Sequence, residues 1–163
     1  MKALVLLEPA VFIVDPEAAA SAWAQRLRLR VLQAAEENPA SAAEVVFREA
    51  LGDQFWESFP EELKVLFTEA SPAVLAEIRG RGLDLSEEPL DPSREELAGI
   101  GQPTLIVSSE DSPEVLRRVN DRLAEALPHT EKVLVTGGHL INPAHPAVLD
   151  FVGRILTPGR NPA

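Results

Sequence analysis

Three short apolar segments, separated by long polar and helical stretches, constrain the fold of this chain more than any other feature. They span residues 3–7, 104–108 and 132–136. Continuous apolar runs of this length are typical of strands buried in a parallel sheet, where the alternation of apolar and polar residues disappears. A helical pattern lies between the second and third runs, and another follows the third. The order strand, helix, strand, helix predicts a right-handed parallel unit.

The loops after the last two predicted strands each carry a side chain suited to acid–base chemistry. Asp111 follows the strand 104–108, and His139 follows the strand 132–136 within Gly137-Gly138-His139. Ligands bind at the carboxyl ends of parallel strands, so we expect Asp111 and His139 to come within hydrogen-bonding range. Two alternatives stay open: Asp111 could instead favour the dipole of the following helix, with Glu110 as the acid, and His139 could bond only to backbone.

Helical patterns dominate the region between the first and second strands. A serine and a glutamate three residues apart, Ser41 and Glu44, predict a capping box for one of these helices, with Gly52 as its stop. The Ser-Pro pairs at Ser71 and Ser112 predict N-caps for later helices by the same reasoning. The predicted helices span residues 20–36, 41–51, 60–70, 71–80, 113–127 and 147–156, with a connecting loop at 82–92 and at most a helical turn at 93–98.

Composition excludes several classes of function. The chain has 163 residues and a formal net charge of −11, spread along the helices, which disfavours binding to nucleic acid or to an anionic membrane surface. It contains no cysteine, hence no disulfide framework and no thiolate nucleophile. The apolar start at residues 3–7 is too short for a signal peptide or a membrane span, and a cytoplasmic location is compatible with these features.

Taken together, the motifs resemble the cap and the C-terminal half of an α/β hydrolase. The resemblance rests on the order of four segments and covers residues 3–156. The segments are Leu6-Leu7-Glu8-Pro9, Ala50-Leu51-Gly52-Asp53 with the aromatic residues after it, Gln102-Pro103-Thr104-Leu105, and Gly137-Gly138-His139. It implies a partial α/β-hydrolase fold of about three parallel strands with flanking helices and an inserted helical cap. The core would comprise residues 1–17 and 93–157, the cap and its connecting loop residues 18–92, and a disordered tail residues 158–163.

The resemblance also implies a Ser-Asp-His mechanism, with Asp111 and His139 as the catalytic acid and histidine. The family's nucleophile lies on a G-x-S-x-G elbow, and no such sequence occurs in these 163 residues. Ser108 and Ser109 lack the flanking glycines and are interpreted as structural. A chain with the acid and histidine but without the serine and the oxyanion loop is expected to be inactive alone, because each oxyanion donor is worth about a hundredfold or more in rate.

The remaining candidates favour ordinary structural roles. His129 and His145 each neighbour a proline and are interpreted as exposed loop residues, and three histidines without an i, i+4 pair make a metal site improbable. No cofactor is implied. The aromatic residues of the predicted cap could line an apolar pocket or simply pack its helices, and packing is the more common role.

Two hypotheses of different classes follow. In the first, the chain is part of a hydrolase, either a truncated reading frame or a subunit, whose complete form acts on a small apolar or ester-type substrate. In the second, it is a non-catalytic hydrolase remnant that serves as a small binding or interaction domain. Without the missing half, residues 3–7 would form an unprotected sheet edge, so we expect self-association, aggregation or pairing with a chain that carries the N-terminal half. A stable, concentration-independent monomer would instead favour the independent binding domain.

Overall fold

The computed structural model describes residues 1–82 and 86–157. The predicted tail at 158–163 lies outside the described residues. The strands are β1 (Leu4–Leu7), β2 (Arg81–Gly82), β3 (Glu88–Pro89), β4 (Thr104–Ser109) and β5 (Thr130–Val135). The helices are α1 (Pro16–Ala19), α2 (Ala22–Glu37), α3 (Ala42–Leu51), α4 (Asp53–Glu57), α5 (Glu61–Glu69), α6 (Ser71–Arg79), α7 (Arg94–Ala98), α8 (Glu114–Ala126) and α9 (Pro146–Leu156).

The described residues form two compact units. The sheet unit comprises the described residues of Met1–Pro9 and Pro92–Ala163, and the helical unit comprises those of Ala10–Asp91. The chain therefore leaves the sheet unit after β1 and returns to it before α7. The assignment of the helical unit as a cap stays a prediction.

The sheet unit is built around three parallel strands in the order β1-β4-β5. In the register of the sheet, Leu7 pairs with Val107, and Val107 pairs with Val133. The central strand β4 is buried along its whole length, whereas the four residues of β1 are only partly buried. Among the described residues β1 thus lies at one edge of the sheet.

Amphipathic helices complete the core of the sheet unit. The spacing of Leu116, Val119 and Leu123 places all three on one face of α8, and all three are buried as the sequence predicts. From α9, Val148 and Phe151 pack with Leu105 and Val107 of the sheet. Burial of each large apolar side chain contributes about 1.5–3 kcal/mol, which fixes the helices against the sheet.

The helical unit has its own apolar core. Leu27, Val31 and Ala35 recur every four residues along α2, so they form one stripe, and they pack with Leu75 and Ile78 of α6.

Residues 81–82 and 88–89 form a two-stranded parallel pairing, so the predicted loop at 82–92 is wrong in that part. In the described part of the chain, no helix combines the length and the apolar character that a membrane crossing requires.

Three predicted helix caps are wrong, because Ser41, Ser71 and Ser112 do not cap the helices that follow them. Ser41 makes no capping bond to α3, because its backbone is already helical and its hydroxyl donates to the Asn38 carbonyl at 2.7 Å. The oxygen that serves α3 comes from Ser71, which accepts from the Ala43 N–H at 3.1 Å instead of capping α6. A capping box is present at α7, between Ser93 and Glu96.

Candidate active site

The carboxyl ends of the three parallel strands bring distant polar residues together within the sheet unit. Glu8 directly follows β1, the segment 110–112 follows β4, and the segment 136–139 follows β5. Backbone hydrogen bonds connect these ends, from Glu8 N–H to the Val107 carbonyl at 2.9 Å and from Glu110 N–H to the Val135 carbonyl at 2.9 Å. This edge is where parallel sheets commonly bind ligands.

The carboxylate of Glu8 is the centre of the site. Glu8 is only 1 % exposed. Its Oε1 accepts from the Ser109 backbone N–H at 2.7 Å, and its Oε2 accepts from the Ser112 hydroxyl at 2.5 Å and is 2.8 Å from Nδ1 of His139. A buried charge costs less when donors bind it directly, and this carboxylate accepts hydrogen bonds on both of its oxygens.

These contacts determine the ionisation of Glu8. Burial alone raises the pKa of the carboxyl group, whereas the hydrogen bonds from His139, Ser112 and Ser109 lower it, and the net effect is a pKa below the ordinary value of 4.5. Glu8 is therefore a carboxylate at neutral pH. Its backbone has a φ of 47°, in the left-handed region that residues with a Cβ rarely adopt.

The geometry fixes the tautomer of His139. An ionised carboxylate can only accept, so the proton of the neutral imidazole lies on Nδ1, which donates to Glu8. The other ring nitrogen, Nε2, then carries a lone pair. The side chain of His139 is 28 % exposed while that of Glu8 is fully buried, so the pair combines an accessible base with an enclosed acid.

A tight loop presents His139. Gly137 has a φ of 104°, a conformation that favours glycine, and its carbonyl accepts from the Ser109 hydroxyl and from the Asp111 N–H. Ser109 thus connects both partners of the pair, since its N–H binds Glu8 and its hydroxyl binds the loop that leads to His139. The interpretation of Ser109 as structural agrees with these contacts.

The structure corrects the predicted partner of His139. The hydrogen bond of the His139 ring goes to Glu8, whereas Asp111 is exposed and contributes its backbone N–H to the Gly137 carbonyl. Glu110, the alternative acid, is also exposed. Both residues lie at the expected edge of the sheet, but the turn after β4 leaves both of them exposed. A catalytic role for any of these residues stays a prediction.

Sequence reasoning missed Glu8, although the signal was present. The acid directly follows an apolar strand, and Asp111 and His139 lie in the loops that follow the other two strands. The same rule that selected Asp111, an acid at the carboxyl end of a parallel strand, applies to Glu8 with equal force.

The other predicted residues fall outside this site. Ser108 is fully buried and its hydroxyl accepts from the Asn120 side chain at 3.1 Å. His129 is exposed, whereas His145 is half-buried and its Nδ1 accepts from the Ala147 N–H at 3.2 Å as the N-cap of α9. Within residues 1–82 and 86–157, no group of three or more His, Asp or Glu side chains is placed to hold a metal ion.

The aromatic residues of the helical unit pack on one another. Phe47 lies 4.2 Å from Phe67 and 5.8 Å from Trp56 between ring centroids, and Phe59 contacts all three rings. Trp56 is 3 % exposed. Packing is thus an observed role of this cluster, and a role in lining a substrate pocket stays a prediction.

Comparison with known proteins identifies the architecture. No protein-family model matches the chain, and no curated protein sequence matches it. Among solved structures, the chain is similar to an alpha/beta hydrolase from Sphaerobacter thermophilus DSM 20745, with a TM-score of 0.52, 19 % identity, and coverage of 96 % of this chain and 59 % of that one. It is also similar to MGS-M2, an alpha/beta hydrolase enzyme from a Medee basin deep-sea metagenome library, with a TM-score of 0.56, 21 % identity, and coverage of 95 % of this chain and 55 % of that one.

The chain therefore has a partial α/β-hydrolase fold, as the order of its motifs predicts. It spans less than two thirds of the length of either solved structure. At these identities the similarity defines the fold alone.

Proposed function

We propose that Glu8 and His139 are the acid and the general base of a hydrolase active site whose serine nucleophile is supplied by residues outside these 163. The observation that carries the proposal is the hydrogen bond between the buried Glu8 carboxylate and Nδ1 of His139, at 2.8 Å. A carboxylate that fixes the tautomer of a histidine with a free Nε2 is the arrangement that nucleophilic acyl transfer requires.

The chemistry assigns a separate role to each partner. Nε2 of His139 would take the hydroxyl proton of the serine as its oxygen attacks the carbonyl carbon of an ester-type or related substrate. The same nitrogen would return that proton to the leaving group when the tetrahedral intermediate collapses, and water would then cleave the acyl-enzyme by the same route. Glu8 would stabilise the imidazolium that exists between these proton transfers.

The serines beside the pair are already engaged. The Ser112 hydroxyl donates to Glu8, and the Ser109 hydroxyl donates to the Gly137 carbonyl. Ser108, next along β4, is fully buried. The hydroxyls of Ser109 and Ser112 hold the site together and that of Ser108 is bonded to Asn120, which supports a nucleophile from elsewhere. The chain alone is expected to give no burst with an activated ester and no labelling by a fluorophosphonate probe.

The fold suggests how a complementary segment would join. We propose that β1, the partly buried edge of the described sheet, pairs with a strand that lies outside this chain or with a second copy of it. Sedimentation of the isolated chain should then show concentration-dependent association, and a stable, concentration-independent monomer would contradict this proposal. The substrate class, small and apolar or ester-type, and a cytoplasmic location are proposed only on the hydrolase-like fold and the composition.

The decisive experiment uses the longest reading frame that contains these residues. If it encodes a G-x-S-x-G serine, the purified product should react with a fluorophosphonate. Glu8→Gln and His139→Ala should each slow this labelling by about 10²-fold or more, the usual contribution of general-base catalysis.

Asp111→Asn is the matched control, because it removes the same charge from a neighbouring strand end. It should leave the labelling rate within about twofold, well below the general-base effect. Loss of labelling in Asp111→Asn but not in Glu8→Gln would overturn the assignment of the acid. A reading frame without such a serine, together with an unlabelled product, would favour the non-catalytic binding domain instead.

A further inference from the structure

Ser112 stands at the start of a helix but does not serve that helix. The Ser112-Pro113 pair has the sequence of an N-cap, yet the N-cap position of α8 is Pro113 and no side chain caps it. The Ser112 hydroxyl instead donates to Oε2 of Glu8 at 2.5 Å, across 104 residues of sequence. A residue that departs from its local role is expected where a functional site requires it.

The oxygen that Ser112 contacts is the one that matters for His139. Oε2 of Glu8 lies 2.5 Å from the Ser112 hydroxyl and 2.8 Å from Nδ1 of His139. The Ser109 N–H, the third donor, binds the other oxygen. Because the two donors to Oε2 come from different loops, they restrict the rotation of the carboxylate about its terminal bond.

We propose that Ser112 is a positioning residue that keeps the Glu8 carboxylate ionised and oriented toward His139. The inference rests on the proposed function, since it concerns the same acid–histidine pair. Ser112 is 4 % exposed, so its hydroxyl is enclosed with the carboxylate and water does not readily replace it.

The segment that carries Ser112 is itself held in place. Nη1 of Arg117, on the first turn of α8, donates to the carbonyl of Glu110 at 2.9 Å and to that of Ser112 at 3.0 Å. These two bonds close the turn between β4 and α8. The turn can therefore hold the Ser112 hydroxyl at a fixed distance from Glu8 without any contribution from the carboxylate of Asp111.

The test is NMR spectroscopy of the 163-residue chain, which does not depend on a nucleophile. In Ser112→Ala, the pKa of the Glu8 carboxyl should rise toward its ordinary value, because one of the three hydrogen bonds that lower it is lost. The Nδ1 proton of His139 should exchange faster with water, so its downfield resonance should weaken. Ser112→Thr, which keeps a hydroxyl, should restore both signals.

Ser108→Ala is the matched control. It removes another buried hydroxyl, from the strand β4 that precedes Ser112, but one that is bonded to Asn120 and not to Glu8. It should reduce thermal stability and leave the Glu8 titration and the His139 resonance unchanged. If Ser112→Ala also reduces thermal stability but leaves the Glu8 titration and the His139 resonance unchanged, Ser112 is merely structural and the inference is wrong.

Two further variants separate the possible failures. Ser112→Cys keeps the approximate volume with a weak donor and is measured if the alanine variant does not fold. Failure of both to fold, while Ser108→Ala folds, would assign Ser112 to folding and overturn the inference. If Glu8→Gln leaves the His139 resonance unchanged, the acid–histidine pair itself is absent and the proposed function fails. If Glu8→Gln changes it and Ser112→Ala does not, only the role of Ser112 is refuted.

Discussion

The sheet unit and the helical unit use their buried polar residues in different ways. In the helical unit, Asp15 and Ser71 are almost completely buried, and each accepts a hydrogen bond from a backbone N–H near a helix start. In the sheet unit, Glu8, Ser109 and Ser112 are also buried, but here both serines donate to the Glu8 carboxylate across more than 100 residues. Buried polar groups of the first kind complete secondary structure, whereas those of the second kind assemble a site.

The apolar cores of the two units should be equally sensitive to truncation, and here we expect the largest effects. Ile106 is 0 % exposed in the sheet unit and Leu27 is 3 % exposed in the helical unit. Each alanine variant should lose about 2–5 kcal/mol of unfolding free energy, measured by denaturant titration. Leu134→Ala is the control, since Leu134 is 54 % exposed. A much smaller loss in one unit would show that the two cores are not comparable.

The polar site should differ from the helix caps in its pH dependence. Glu8→Gln should cost about 1.5–3 kcal/mol at neutral pH, the usual contribution of hydrogen bonds to a charged group. Because the pKa of Glu8 is lowered in the folded chain, its contribution is complete above the ordinary value of 4.5 and is lost as the pH falls through the lower, folded value.

This prediction is checked by denaturant titration of the wild type and Glu8→Gln at several pH values. The stability difference between them should shrink on acidification. A difference that stays constant down to strongly acidic pH would show that the Glu8 charge does not stabilise the fold.

Removing the helix cap in the helical unit should lower the unfolding free energy by a smaller amount, and this loss should not depend on pH. Ser71→Ala removes the oxygen that accepts from Ala43 and should cost about 1 kcal/mol, as is usual for a cap. Ser41→Ala is the matched control, because Ser41 has the cap-like sequence but makes no cap bond, and it should cost less. If Ser41→Ala lost more stability than Ser71→Ala, the start of α3 would depend on Ser41 after all.

Surface ion pairs should have the smallest effect. Arg48 contacts Glu44, Asp53 and Glu57, and its guanidinium holds the pKa of Glu57 below the usual range. Exposed pairs are screened by solvent and salt, so Arg48→Gln should lower the melting temperature only slightly, and less at high salt. A large decrease in melting temperature that does not depend on salt would show that the ion pairs of Arg48 act like buried ones.

The sequence predicted those parts of the fold that depend on local patterns. The apolar run at 104–108 and the stripe from Leu116 to Leu123 correctly predicted β4 and α8. The predicted partial α/β-hydrolase fold is confirmed by the similarity to the two solved hydrolases. Short elements such as α1 and α4 were not predicted, because four or five residues are too few to show a period.

The partner of His139 could not be obtained from local patterns. His139 and Glu8 are 131 residues apart, and both Glu8 and Asp111 follow strands of the same sheet. Which acid faces the histidine depends on the direction in which each loop leaves its strand. That direction is determined by backbone contacts such as the one from Asp111 N–H to the Gly137 carbonyl, which no sequence pattern displays.

The left-handed backbone of Glu8 has an evolutionary consequence. At a φ of 47°, a residue with a Cβ destabilises the folded chain by about 1–2 kcal/mol relative to glycine. Glu8→Gly should therefore be less destabilising than Glu8→Ala, the reverse of the usual order. Codons for glutamate and glycine differ by one base, so a lineage released from selection on the acid would be expected to drift to glycine at this position. Relatives that have kept the fold but lost the proposed acid–histidine pair should carry that substitution.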